Sequence, residues 1–309
     1  MRIPRLLLAS LLAGIALLAI HRVHGSSNNL HGTILVDGRE RTYEVHVPAG
    51  YQNTHAVPLV LALHGRLGTG QGEAKLSHFD TVSDAHGFIV VYPDGLERSW
   101  ADGRGASPSE KKGVNDVKFV SELIDKLSRE YQIDSSRVYA TGMSNGGFMT
   151  GKLACDLSGK IAAVAIVAAS LSENTAANCH PEMPVSVLVM QGTADPLVPF
   201  EGGSLGKNGD RGKILSHDDT VRKWQEIDGC STEPQIGHIP DKAGDGTSID
   251  YRFFTRCKNG VELQDYVIND GGHAWPGGVQ YLGEHWIGKT SKNLDASDLT
   301  WKFFSRHSR

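Results

Sequence analysis

Apolar positions alternate with polar ones across Thr33–Val36 and Arg41–Val47, on either side of Asp37-Gly38, and predict an antiparallel hairpin at a sheet edge. The pattern then changes. Pro58-Leu-Val-Leu-Ala-Leu63 is a continuous apolar run, the mark of a central strand buried on both faces. It ends in the glycine-rich loop His64-Gly65-Arg66-Leu67-Gly68-Thr69-Gly70, whose spacing is not that of a phosphate-cradling loop. Phe88–Tyr92 predicts a second buried strand, followed by a polar loop to Gly113 in which Trp100, Asp102 and Arg104 are placed to form part of a rim.

From Asn115-Asp116 the period becomes helical, with Val117, Val120, Ile124, Leu127 and Tyr131 at spacings of three and four, ending near Gln132. Val138–Thr141 predicts a strand and Gly146–Leu153 a helix. Ile161–Ala168 and Val185–Met190 are further strand-length runs, and residues 201–218 read as an exposed loop. A helix over about Asp219–Ile227 precedes a strand pair, Ser248–Thr255 and Val261–Ile268, around Lys258-Asn259-Gly260; an amphipathic helix over Leu294–Arg306 closes the chain. Strands alternating with helices predict an α/β fold, with a mostly parallel central sheet and helices on both faces. Its ligands belong at the carboxyl ends of the strands. Neither an internal repeat nor a low-complexity linker is found, so one catalytic domain, 26–309, is expected after an N-terminal signal, 1–25.

That signal is read from Arg2 and Arg5, the uncharged run Leu6–Ile20 and the segment Val23-His24-Gly25. The run falls short of the ~20 apolar residues that span a bilayer, so no stable membrane span is expected after cleavage, and the location expected is extracellular or periplasmic. The 309 residues carry a net charge of −4, and the signal takes only arginines with it. An acidic domain without a basic run is not a nucleic-acid partner. Export makes the four cysteines an even set in an oxidising compartment. Three connectivities are open. Pairing of neighbours, Cys155 with Cys179 and Cys230 with Cys257, is the expectation, because each pair encloses a short stretch beside a core element. Absence of CxxC spacing points away from a zinc or redox site, and no metal is expected.

The stretch Gly142-Met143-Ser144-Asn145-Gly146 is GxSxG, a weak signal alone in a chain with 36 glycines. Its place between strand and helix strengthens it, since a nucleophile elbow needs that setting. A serine nucleophile needs a base, and the base needs an anion to fix its tautomer. Asp195 follows the strand ending in Gln191-Gly192-Thr193-Ala194, and His273 follows the last strand within Asn269-Asp270-Gly271-Gly272-His273. Asp210, Asp218, Asp219 and Asp228 lie in polar loop or helix contexts, and Asp270 is too near His273 to orient it. Of the 14 histidines, His273 alone combines late position, flanking glycines and a preceding strand. Oxyanion donors are expected at the backbone N–H groups of Asn145 and Arg66, with His64 in a structural part. Met143, Trp100 and Trp275 are candidates to line a substrate pocket.

Together, His64-Gly65, Tyr92-Pro93-Asp94-Gly95, Ser99-Trp100 with Asp102-Gly103-Arg104, Asn115-Asp116-Val117, the GxSxG stretch with Gly147, and Gly272-His273-Ala274-Trp275-Pro276-Gly277-Gly278 resemble the poly(3-hydroxybutyrate) depolymerase and feruloyl esterase group of secreted α/β-hydrolases. The resemblance implies an α/β-hydrolase fold, hydrolysis of a carboxylic ester, no cofactor, the triad Ser144, Asp195 and His273, and neighbour-paired disulfides. Polyester depolymerases of this group commonly add a linker and a polymer-binding domain, which this sequence lacks. Solid polymer fits that architecture poorly, while soluble esters, oligomers and plant-wall feruloyl or acetyl esters stay open, and the activity expected is hydrolysis of a hydroxyalkanoate polyester or oligomer or of a feruloyl-type ester. The alternatives are an acetylxylan esterase, a peptidase of the same fold, or a non-catalytic extracellular polymer-binding protein.

Overall fold

Val57–Leu63 takes the central place that its unbroken apolar character demands. The structure, a computed structural model, describes residues 29–309, so the signal assigned to residues 1–25 lies outside the described residues. Its strands are β1 (Asn29–Val36), β2 (Arg39–His46), β3 (Val57–Leu63), β4 (Ile89–Pro93), β5 (Ile133–Met143), β6 (Ala163–Val167), β7 (Ser186–Gly192), β8 (Gly203–Ser204), β9 (Lys213–Ile214), β10 (Gln235–Ile239), β11 (Ser248–Phe254) and β12 (Leu263–Asn269). Its α-helices are α1 (Gly70–Ser77), α2 (Phe79–His86), α3 (Pro108–Lys111), α4 (Asp116–Glu130), α5 (Asn145–Asp156), α6 (Glu173–Asn178), α7 (His217–Asp228), α8 (Glu284–Ile287) and α9 (Ala296–Phe304).

Ten strands form one sheet in the order β1-β2-β4-β3-β5-β6-β7-β12-β11-β10. From β4 to β12 all neighbours are parallel, while β1, β2, β11 and β10 add antiparallel margins. The edge hairpin turns through Asp37 and Gly38, both at positive φ, as a two-residue turn matched to strand twist requires. Pro58 sits where the β3–β5 register shifts, so its missing N–H costs no ladder bond there.

The two-residue period of β3 divides the core. Leu59, Leu61 and Leu63 pack on one face with Phe119, Leu123 and Leu127 of α4 and with Met149 and Leu153 of α5. Val60 and Ala62 join Phe79, Phe88, Trp275, Trp301 and Phe304 on the other. Helices thus cover both faces, as a parallel sheet needs. Asn115 caps α4 by accepting from Lys118 N, and the helix buries Phe119, Val120, Leu123, Ile124 and Leu127.

Disulfides join Cys155 to Cys179 and Cys230 to Cys257. The first ties the end of α5 to the end of α6, and the second ties the end of α7 to the turn after β11. Closing loops of this size contributes about 3 kcal/mol each in the chain-entropy model.

Two departures from the sequence pattern have simple causes. Residues 201–218 carry β8, β9 and the start of α7, and they bury Leu205 and Ile214; isolated apolar residues in a polar stretch leave no period to detect. α1 was hidden by a composition of glycine and charge, although Thr69 caps it by accepting from Gly72 N. Among the described residues, no helix is long and apolar enough to cross a membrane.

α1 also buries Glu73, whose Oε1 finds no partner among the described residues. Burial pushes its carboxyl up from 4.5 to about 8. The unfolded chain releases this proton near the ordinary value while the folded chain holds it. Stability from the neutral acid is therefore complete below about 4.5 and is lost as pH rises toward about 8. Glu73→Gln should match the wild type at pH 4 and exceed it at pH 8 by at least about 1.4 kcal/mol, the equivalent of one pKa unit. Urea midpoints across that range provide the measurement.

Candidate active site

β5, β6, β7 and β12 are parallel neighbours whose carboxyl ends lie along one edge, and backbone bonds lace the loops leaving them. Ser144 N donates to Val167 O at 2.9 Å, Ala168 N to Met190 O at 2.8 Å, Thr193 N to Ile268 O at 3.0 Å, and Ala194 N to Gly271 O at 2.9 Å. Loops from four strands are thereby held at one place.

Ser144 turns the chain from β5 into α5 at φ 58°, ψ −121°. That conformation costs a non-glycine residue about 1–3 kcal/mol and must be enforced by its surroundings. Gly146 is part of the enforcement: a Cβ there would lie 2.1 Å from Leu63 O at the end of β3. Such proximity leaves room only for hydrogen. Ser144 itself is partly accessible. A Cβ on Gly65 would stand 3.5 Å from Ser144 Cβ, so the loop after β3 runs directly beside the serine. The N–H groups of Arg66 and Asn145 donate to no acceptor among the described residues.

On the neighbouring loops, His273 Nδ1 and Asp195 Oδ2 are 2.7 Å apart, with both side chains almost wholly buried. Asp195 Oδ1 accepts from Leu197 N and Val198 N, each at 2.8 Å. The carboxylate accepts, so Nδ1 carries a proton and Nε2 is the nitrogen left unengaged by Asp195. His273 is fixed at its backbone too, with N donating to Ile287 O at 2.5 Å and O accepting from Tyr281 OH at 2.9 Å. Burial, and then the nearby Asp195 charge, push the Tyr281 phenol up, so it remains a donor. Gly192 lets the two loops meet, since a Cβ on it would fall 2.2 Å from Gly271 O.

A buried polar network holds the rim. Asn145 accepts from Trp100 N at 2.8 Å and donates to Trp100 O and Asp102 Oδ2. Arg104 donates to Asp102 through Nε and Nη2 at 2.9 and 2.6 Å, and its guanidinium lies 4.4 Å from the Phe148 ring centre. Burial raises the Asp102 carboxyl, with Arg104 and Asn145 opposing the shift. Ala101 N donates to Asp116 Oδ2 at 2.7 Å, and Arg41 pairs with Asp116 Oδ1 at 2.6 Å. His64 Nε2 accepts from Gly95 N at 3.0 Å, so its proton is on Nδ1, which donates to Gly65 O at 2.7 Å. Burial lowers the His64 pKa and keeps the ring neutral.

Asp195 and His273 are joined directly, and Ser144, Asn145 and Arg66 lie at the same strand edge. Among the described residues Ser144 Oγ makes no hydrogen bond to His273; such bonds commonly close only with substrate in place. Met143, Trp100 and Trp275 back the site rather than face it, with 3%, 0% and 1% of their surfaces exposed. The reason is local. Trp100 Nε1 donates to His64 O, and Trp275 Nε1 donates to Ser297 Oγ while its ring packs on Phe79. The exposed apolar side chains nearest these groups in sequence are others: Tyr281, Leu282 and Trp286, on the segment whose Ile287 O accepts from His273 N, and Leu197, two residues from Asp195. That segment lacks any period, and nothing in it marks a site.

The model of the family "Esterase PHB depolymerase" matches residues 41–197. A protein named as an esterase, NocK, of Nocardia uniformis subsp. tsuyamanensis is 29% identical over 279 residues, 87% of this chain and 80% of that protein. Feruloyl esterase B of Piromyces equi is 28% identical over 233 residues, covering 74% of this chain but only 42% of that protein. Among solved structures, an acetyl xylan esterase from Aspergillus awamori superposes with a TM-score of 0.59 at 16% identity, covering 89% of this chain and 99% of that one. At that identity the likeness is one of fold.

The tight approach at the elbow predicts that Gly146→Ala lowers stability by about 1–3 kcal/mol, the ordinary cost of overpacking, because the atoms it meets are backbone. Urea midpoints measure the loss, and ester turnover should fall with it as Ser144 shifts.

Proposed function

Because this chain belongs to the esterase PHB depolymerase family and is a carboxylic ester hydrolase with the α/β-hydrolase fold, we propose that it works as a secreted serine esterase through Ser144, His273 and Asp195. The carrying observation is the 2.7 Å bond from His273 Nδ1 to an Asp195 whose other oxygen is held by two N–H groups, on the same sheet edge as the strained Ser144. Residues 26–309 form the catalytic domain of this proposal and residues 1–25 its export signal. Two disulfides suit the oxidising compartment that the signal implies.

In the proposed reaction Ser144 Oγ attacks the ester carbonyl carbon and gives its proton to His273 Nε2. The carbonyl oxygen takes the electron pair and meets the free N–H groups of Asn145 and Arg66, each such donor being worth about 3–4 kcal/mol. Collapse breaks the bond to the alkoxy oxygen, which receives the proton from His273. Water, deprotonated by the same nitrogen, then attacks the acyl-enzyme and releases the acid and Ser144. Asp195 stays ionised throughout and stabilises the transient imidazolium.

The exposed Tyr281, Leu282, Leu197 and Trp286 give the surroundings of the site an apolar and aromatic character. An acid part that is itself aromatic or a hydroxyalkanoate fits this better than acetate does, so feruloyl-type esters and hydroxyalkanoate oligomers are the proposed substrates. Ser144→Ala should lower p-nitrophenyl butyrate turnover by roughly a million-fold and abolish labelling by a fluorophosphonate. Labelling that persists in this variant overturns the nucleophile. Methyl ferulate or hydroxybutyrate oligomers should be turned over faster than acetylated xylan, and the reverse order would reassign the substrate class.

A further inference from the structure

Behind Asp195 the hydrogen bonds continue into the core. Val198, whose N–H donates to Asp195 Oδ1, accepts at its carbonyl from Gln191 Nε2 at 3.1 Å. Gln191 stands at the end of β7, and its Oε1 is 3.1 Å from His217 Nδ1. His217 Nε2 is 2.7 Å from Asp265 Oδ1, and Arg252 Nε donates to the other oxygen of that carboxylate at 2.6 Å. All three of Gln191, His217 and Asp265 are buried, with at most 1% of their surface exposed.

Counting donors fixes the orientation of this chain of contacts. Gln191 spends its NH₂ on Val198 O, so the atom it turns to His217 Nδ1 is an oxygen that can only accept, and that contact needs the Nδ1 proton. The ring is held in place by Asp265 from β12, by the Phe200 ring stacked at 4.6 Å and by the first turn of α7, on which it stands. Arg252 from β11 fixes Asp265 in turn, and Asp218 of α7 lies 2.7 Å from Arg252. A side chain at 191 unable to accept from Nδ1 or to donate to Val198 O would withdraw the brace from a peptide that holds Asp195.

We propose that Gln191 and His217 are positioning residues for Asp195, acting through the Val198 peptide. The inference rests on Asp195 being the acid of the triad.

Gln191→Met keeps the volume and the His217–Asp265 pair but can neither donate to Val198 nor accept from His217. His217→Gln removes the ring. His46→Gln is the control, because His46 is a second buried histidine bonded to a carboxylate, Asp84 at 3.0 Å, at the opposite edge of the parallel strands. Gln191→Met and His217→Gln should each lower kcat roughly tenfold, the scale of one or two hydrogen bonds, with KM within about twofold of wild type; His46→Gln should change neither. Unchanged kcat in folded Gln191→Met, or an equal loss in His46→Gln, overturns the proposal. Should His217→Gln fail to fold by thermal melting, Gln191→Met decides the kinetics. Asp195→Asn separates the two levels. Full activity in that variant removes the triad assignment, whereas its inactivity beside a fully active Gln191→Met removes only this inference.

Discussion

A carboxylate shut away from water must find a donor for each oxygen or give up its charge. Asp195 satisfies that condition with two backbone N–H groups on one oxygen and an imidazole on the other. Each donor belongs to a loop that some other part of the chain must hold. Leu197 and Val198 are held from β7 through Gln191, and His273 is held by Ile287 and Tyr281. The loops can meet because Gly192 and Gly271 approach closer than any side chain allows. The sheet supplies parallel strand ends at fixed spacing, but the buried charge decides how the loops above them close.

Much of this was legible because it follows from periodicity and chain order. Seven consecutive buried residues in β3 could only be a central strand, and helical spacing in α4 located the face that covers it. Ser144, Asp195 and His273 each stand a few residues beyond a strand end, and a parallel sheet gathers such positions on one edge whatever the sequence distance. Side-chain direction was not legible. Trp100 and Trp275 sit beside the right motifs, yet both turn inward, because an indole N–H in a dry core takes a buried acceptor when one is offered. Asp102, Arg104 and Asp116 fell within recognisable motifs, but their joint use in bracing the rim depends on pairings across distant segments.

Histidines make the same point more sharply. His273 and His217 each face a buried aspartate at 2.7 Å, and composition cannot tell them apart. Their free valences do. His217 uses both ring nitrogens inside the core, under Phe200 and beside Arg252, and keeps none for chemistry. His273 uses Nδ1 alone and leaves Nε2 without a partner among the described residues. The base of the proposed triad is thus marked by the contact it withholds, and a structural histidine by a complete set. His64 belongs with the second kind: Gly95 N and Gly65 O occupy its two nitrogens, which fixes the loop carrying Arg66 beside the serine.

The same accounting applies to the backbone at the elbow. The φ of Ser144 is unfavourable for a side-chain-bearing residue and must be maintained by its surroundings. What maintains it is outside: Val167 O takes the serine N–H, β3 abuts Gly146, and the Asn145 side chain is occupied by Trp100 and Asp102. With its side chain committed to the rim, Asn145 keeps its backbone N–H uncommitted at the start of α5, where the helix dipole favours a developing negative charge. Fixing the side chain and freeing the peptide are therefore one arrangement. An oxyanion donor must already be in place before charge appears, and a donor on a mobile turn would surrender that advantage by reorienting. The buried rim network provides the rigidity, which accounts for so much buried polar surface around a proposed reaction that needs only a few of those groups.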